Sequence, residues 1–224
     1  MQQTFFITGT DTGVGKTVLT VLLAHHLRER VIKAVALKPV CSGGRDDARM
    51  LQTAMHGALT LNEINPWHFR AAIAPMLAAR RAHRPVRLAA VLAHIRAMQK
   101  RFDVVLVEGA GGLLSPLGEN FDSRDLLVAL RATPVVVTPN RIGAVNQVRL
   151  TLAVLPRPAS ARARVVLMSP AKPDASTKIN AGLLAEYFDA KRILELPWLG
   201  RKPWREEAMA HARVPRTLNR LMGI

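Results

Sequence analysis

The 224-residue chain has a single cysteine, Cys41, which excludes an internal disulfide framework and any four-cysteine metal site. Its seven histidines are scattered, so zinc chemistry finds no support. No apolar run approaches the roughly 20 residues that cross a membrane. The opening MQQTFFITGT lacks the basic and apolar regions of a signal peptide, and the expected location is the cytoplasm. Acidic residues are few, 16 against 32 Lys and Arg, for a formal charge of +16. A basic surface attracts nucleic acid or anionic membrane. Here the arginines are spread over RRAHRPVR, RPASARAR and RKPWR, and aromatics are only 4%, so neither partner is expected. The field is read as an arginine-rich surface that steers anionic ligands.

What is present is a 49% hydrophobic chain long enough for one large core, read as one domain over residues 1–224. Short apolar runs alternate with helical patterns, the mark of a doubly wound α/β fold with a mostly parallel sheet and helices on both faces. Strands are expected at residues 3–8, in VIKAVALKPV, in FDVVLVEGAGG, in ATPVVVTPN, in ARVVLMSP and in RILELPWLG. Helices are expected over 16–28, 46–56, 88–100, 143–155 and 175–188, and LPRPASARAR reads as a surface loop. The stretch 201–224 reads either as a short terminal helix or as a frayed tail.

Between the first strand and helix stands GTDTGVGKT, close to the phosphate-loop pattern GxxxxGKT. Gly9 and Gly15 have five residues between them, so either the loop is one residue longer or Thr10 takes the first glycine's place. The part from Gly13 through Val14, Gly15 and Lys16 to Thr17 is intact. Its glycines turn N–H groups toward an anion, the helix adds its positive end, Lys16 reaches outer phosphates, and the Thr17 hydroxyl can ligate magnesium. The fold is thus P-loop NTPase-like.

Glu108 ends a buried strand on the side where open α/β sheets bind ligands. Asp47 either supplies a second magnesium oxygen or complements the dipole of its helix. Lys38 ends another strand, and Pro39 favours an extended exit toward the crevice of Lys16; an ordinary surface lysine would look similar. Ser42 and the glycines after it suit a tight turn.

Taken together, FITGTDTGVGKT, ALKPVCSG, NPWHF, VVLVEGAGG and ELPWLG resemble the dethiobiotin synthetase family over roughly residues 1–200. The resemblance implies an ATP-dependent cyclo-ligase: 7,8-diaminopelargonate takes up CO2 as a carbamate, ATP phosphorylates it, and the second amine closes a cyclic urea. It implies that Gly13–Thr17 and Val18 wrap the triphosphate and that Thr17, Asp47 and Glu108 share Mg2+. Lys38 and Lys16 would be the catalytic cations, and Ser42 and Thr12 would contact substrate. Gly109, Ala110, Gly111 and Gly112 would let the backbone approach the ligand. Gly143, Ala144, Val145 and Asn146 would offer a helix start to the substrate carboxylate, across a homodimer interface. Pro197, Trp198 and Leu199 match a base-binding segment.

There are departures from the family pattern. Ser169 stands where an asparagine commonly reads the adenine edge, Ser42 to Asp47 is a short connection, and Ala74 replaces a frequent serine. A ParA- or MinD-like switch ATPase binding DNA or membrane is the alternative, but such proteins carry an extra lysine early in the loop, where this chain has TGTDTG. A cobyrinate-type amidotransferase would need a glutaminase domain as well.

Overall fold

The computed structural model describes residues 2–200 and 206–224. In chain order the first elements are β1 (Gln3–Gly9), α1 (Lys16–Glu29), β2 (Ala34–Leu37), β3 (Val40–Ser42), α2 (Asp46–Ala54), α3 (Leu61–Ile64), β4 (Trp67–Phe69) and α4 (Pro75–Arg81). Next come α5 (Leu88–Gln99), β5 (Val104–Gly112), β6 (Pro116–Gly118), β7 (Phe121–Asp122), α6 (Ser123–Ala129), β8 (Thr133–Pro139) and α7 (Ala144–Ala153). The last are α8 (Arg157–Ser160), β9 (Arg164–Met168), α9 (Ala175–Ala185), β10 (Ile193–Leu196) and α10 (Arg213–Met222).

Six strands form one sheet in the order β10-β9-β8-β1-β5-β2, and every pairing in it is parallel. Phe5, Phe6 and Ile7 of β1 and Val105, Leu106 and Val107 of β5 are buried, as two-sided coverage of a parallel sheet requires. The covering stripes are legible in the helices: Leu19, Leu22, Leu23 and Leu27 of α1, and Val91, Ile95 and Met98 of α5, are all buried. Because β1 lies between β5 and β8, the winding reverses across it. A crevice therefore opens at the carboxyl ends of β1 and β5, the usual place for a ligand.

The expected second strand is shorter than its apolar run. β2 stops at Leu37, since Pro39 cannot donate to a ladder, and β3 then leaves the sheet to pair with β4. The expected helix over 46–56 ends at Ala54, with His56 in the left-handed region. The loop LPRPASARAR contains the short α8. Of the stretch 201–224, residues 201–205 lie outside the described residues; the rest contains α10, which buries Val214, Leu218, Leu221 and Met222 and ends at Gly223 with φ 73°. The His26 imidazole on α1 meets the Asn219 side chain of α10 at 2.7 Å.

Candidate active site

The loop from β1 to α1 packs closely over Gly9, the last residue of the strand. A Cβ there would sit 2.6 Å from Val14 Cγ2 and 2.9 Å from the Asp11 carbonyl. Thr10 still donates its N–H to Val137 of β8, so the glycine requirement falls on Gly9 and the loop is one residue longer than the pattern. Gly15, at φ 102°, starts α1 without a side-chain cap, leaving first-turn N–H groups for an anion. Lys16 is buried and donates to the Asp11 carbonyl at 2.8 Å. Burial, and next the neighbouring Lys38 charge, lower its pKa to about 8 against the pull of Glu108, Asp47 and Asp11.

Parallel pairing of β1 with β5 sets Ile7 against Glu108, which brings the carboxylate beside the loop. Glu108 is buried, and its Oε1 accepts from Thr17 Oγ1 at 2.7 Å and from Lys38 Nζ at 2.7 Å. Its second oxygen, Oε2, has no hydrogen-bond partner. Lys38 comes off the end of β2, next to β5, and also pairs with Asp47 in the first turn of α2. Burial alone would lower the Lys38 pKa; the two carboxylates outweigh it and raise the pKa above the ordinary lysine value. Four of the sequence-predicted residues, Thr17, Lys38, Asp47 and Glu108, therefore form one connected cluster.

This cluster opens onto a cleft of about 860 Å³ whose lining includes Thr12, Gly13, Gly15, Val18, Ser42, Ala110 and Gly111. Ser42 Oγ donates to the Ile73 carbonyl at 2.6 Å, which fixes the hydroxyl at the cleft wall. Cys41 also lines the cleft, and burial pushes its thiol pKa up, so it is a poor nucleophile. Gly109 is outside the lining: a Cβ there would meet Phe6 at 3.1 Å, so its smallness serves packing. Gly112 and Val14 are also outside, Val14 being buried.

Two predicted groups lie apart from this cleft within the single chain. Ser169, whose N–H bonds Leu196 at 2.9 Å, lies just beyond β9; Pro197, half-exposed Trp198 and Leu199 follow β10 at the same edge of the sheet. Gly143 to Asn146 open α7, with Gly143 at φ 87° and no side-chain cap. Sequence reasoning assigned no role to Asn65 and Arg45, which bond to one another and to the cleft wall. The motif NPWHF marked the segment without saying what it does.

A family model described as an AAA domain matches residues 3–210. The chain is 39% identical over 198 residues to the ATP-dependent dethiobiotin synthetase of Anaeromyxobacter dehalogenans strain 2CP-C, covering 86% of this chain and 89% of that one. It is 33% identical over 217 residues to the same enzyme of Xanthomonas oryzae pv. oryzae, covering 93% and 94%. Among solved structures, the MinC:MinD cell division protein complex of Aquifex aeolicus matches with a TM-score of 0.63 over 99% of this chain and 96% of that one. At 13% identity that likeness concerns the fold. With the phosphate loop, the Lys38 cluster and these relatives in agreement, the chain belongs to the ATP-dependent dethiobiotin synthetase family of ligases.

Proposed function

We propose that this protein closes the ureido ring of dethiobiotin from 7,8-diaminopelargonate, CO2 and ATP, in the cytoplasm, as a step of biotin biosynthesis. The single observation that carries the reading is the placement of Lys38: a buried ammonium held by Asp47 and Glu108 at the head of a phosphate-loop cleft. One amine attacks CO2 and loses a proton, giving a carbamate. The carbamate oxygen attacks the γ-phosphorus and ADP leaves. The second amine then attacks the carbonyl carbon and loses a proton as phosphate leaves, and the new N–C bond completes the ring.

An anionic carbamate must approach an anionic triphosphate, so fixed cations and positioning supply most of the catalysis. Gly13–Thr17, Val18 and the backbone of Ala110 and Gly111 hold the nucleotide, with Lys16 on its outer oxygens. Lys38 faces both the carbamate and the transferring phosphoryl. Thr12 and Ser42 contact the diamine. Ser169 and Pro197 to Leu199 flank the base, and a serine hydroxyl cannot make an amide's two-pronged contact with it.

Thr17, Asp47 and Glu108 offer the hard oxygens that magnesium prefers, and the partnerless Glu108 Oε2 is a spare acceptor among them. Two carboxylates and one hydroxyl leave the rest of an octahedral shell to waters and phosphate oxygens, as magnesium usually keeps them. When bound, magnesium would neutralise charge on the outer phosphates.

The start of α7, Gly143 to Asn146, would offer N–H groups to the substrate carboxylate of a second copy, in a homodimer, with that of Ala144 already given to the Arg141 carbonyl at 3.1 Å. Exposed Ile142 and Leu150 beside and on α7 support that surface. No described helix is long and apolar enough to cross a membrane.

The reaction is tested with 13C-bicarbonate, magnesium, ATP and the diamine. A labelled cyclic urea seen by mass spectrometry and carbon NMR supports the reading; ATP hydrolysis without label in any diamine product overturns it.

A further inference from the structure

Asn65 is fully buried, and each of its polar groups is used. Its Nδ2 donates to the Lys38 carbonyl at 2.6 Å. Its Oδ1 accepts from Arg45 Nε at 3.2 Å and lies 3.3 Å from Cys41 Sγ. Its own carbonyl accepts from Arg45 Nη2 at 3.0 Å, and its N–H donates to Leu61 at 2.9 Å. The Arg45 guanidinium also donates to the Leu61 carbonyl at 2.6 Å and to Asn62 Oδ1 at 3.0 Å.

These contacts converge on the two ends of one connection. Lys38 is at its start, and Arg45 immediately precedes α2, whose first turn carries Asp47. The Lys38 N–H donates to Ile64 at 3.0 Å while its carbonyl takes the Asn65 amide, so both faces of its backbone are committed to adjacent residues. A long lysine side chain is then aimed from a fixed root. The splint is itself anchored: a Thr60–Glu63 capping box sets α3, and the Glu63 carbonyl accepts from His94 on α5 at 2.7 Å.

We propose that Asn65, acting with Arg45, is a positioning residue that sets the Lys38–Asp47 geometry; this rests on the synthetase reading above. An apolar side chain would fill the same buried place without desolvating an amide, so the amide's use lies in what it orients. Asn65→Asp keeps an acceptor for Arg45 but sets an oxygen against the Lys38 carbonyl. Arg45→Ala removes the other half.

The test uses the full chain and compares wild type, Asn65→Asp, Asn65→Ala and Arg45→Ala, each first shown folded by circular dichroism. The expected result is a fall in kcat of about 10- to 100-fold with KM for ATP within about twofold, the signature of lost positioning. In a Lys38→Ala background, Asn65→Ala should cost less than about twofold more, because the lysine it aims is gone. Equal penalties in both backgrounds, or unchanged kcat in all variants, overturn the proposal. The 15N signal of the Lys38 ammonium, assigned with Lys38→Arg, is read independently of turnover. It shifts in Asn65→Asp if the proposal holds, and an unchanged signal contradicts it. A wild type that forms no cyclic urea would instead overturn the synthetase reading.

Discussion

At the residue scale the account turns on a triangle of charge. Lys38 has two carboxylate partners, one buried and one half-exposed, and removing it leaves Glu108 buried without its cation. Lys38→Ala should therefore lose activity at least about a hundredfold, the scale of deleting one preorganised charge donor. It should also lose stability, by about 3 kcal/mol for the broken buried pair. Near-normal turnover would remove Lys38 from the chemistry. Gly15 makes a second test: a Cβ at its φ of 102° would be 3.0 Å from Met168 Cε. Gly15→Ala should strain the loop by ~1–3 kcal/mol. Calorimetric titration should show weaker ATP binding, and unchanged affinity would contradict this.

At the element scale, α10 is docked on α1 through His26 and Asn219. Burial holds the His26 pKa below its usual 6.5, offset in part by the Asn219 hydrogen bond. Unfolding raises that pKa, so below 6.5 the unfolded chain binds the proton first. The stabilisation is complete above that pH and declines as pH falls toward the folded-state pKa. The melting temperature should thus fall from about pH 7.5 to about pH 5.5, and His26→Gln should reduce the fall. Equal falls in both proteins would exclude His26 as the source.

The same scale explains what sequence could and could not reveal. Lys16 and Thr17 were legible because strand, glycine loop and helix are contiguous, and Glu108 because a carboxylate ends a buried apolar run. β3, β4, β6 and β7 escaped because strands of two or three residues carry no period. Asn65 escaped for a different reason. Its partners Lys38, Cys41 and Arg45 are 20 or more residues away, joined to it only when β3 pairs with β4.

At the scale of the whole molecule, the +16 charge lies on a surface where some arginines are tied to acids, as Arg80 is to Glu119 through two bonds. The remainder favours anionic ligands at low salt, an effect that screening over about 8–10 Å weakens at physiological strength. The proposed homodimer makes its own prediction. Ile142 and Leu150 are 76% and 61% exposed, so Ile142→Glu with Leu150→Glu should convert a dimer to a monomer in light scattering and raise KM for the diamine. A dimer unaffected by both changes would place the interface elsewhere.

The most direct test of the central claim is phosphate release by the purified protein with magnesium, bicarbonate and ATP, with and without 7,8-diaminopelargonate. The account predicts release that requires the diamine, equals the cyclic urea formed, and is lost in Lys38→Ala. Release indifferent to the diamine would contradict it.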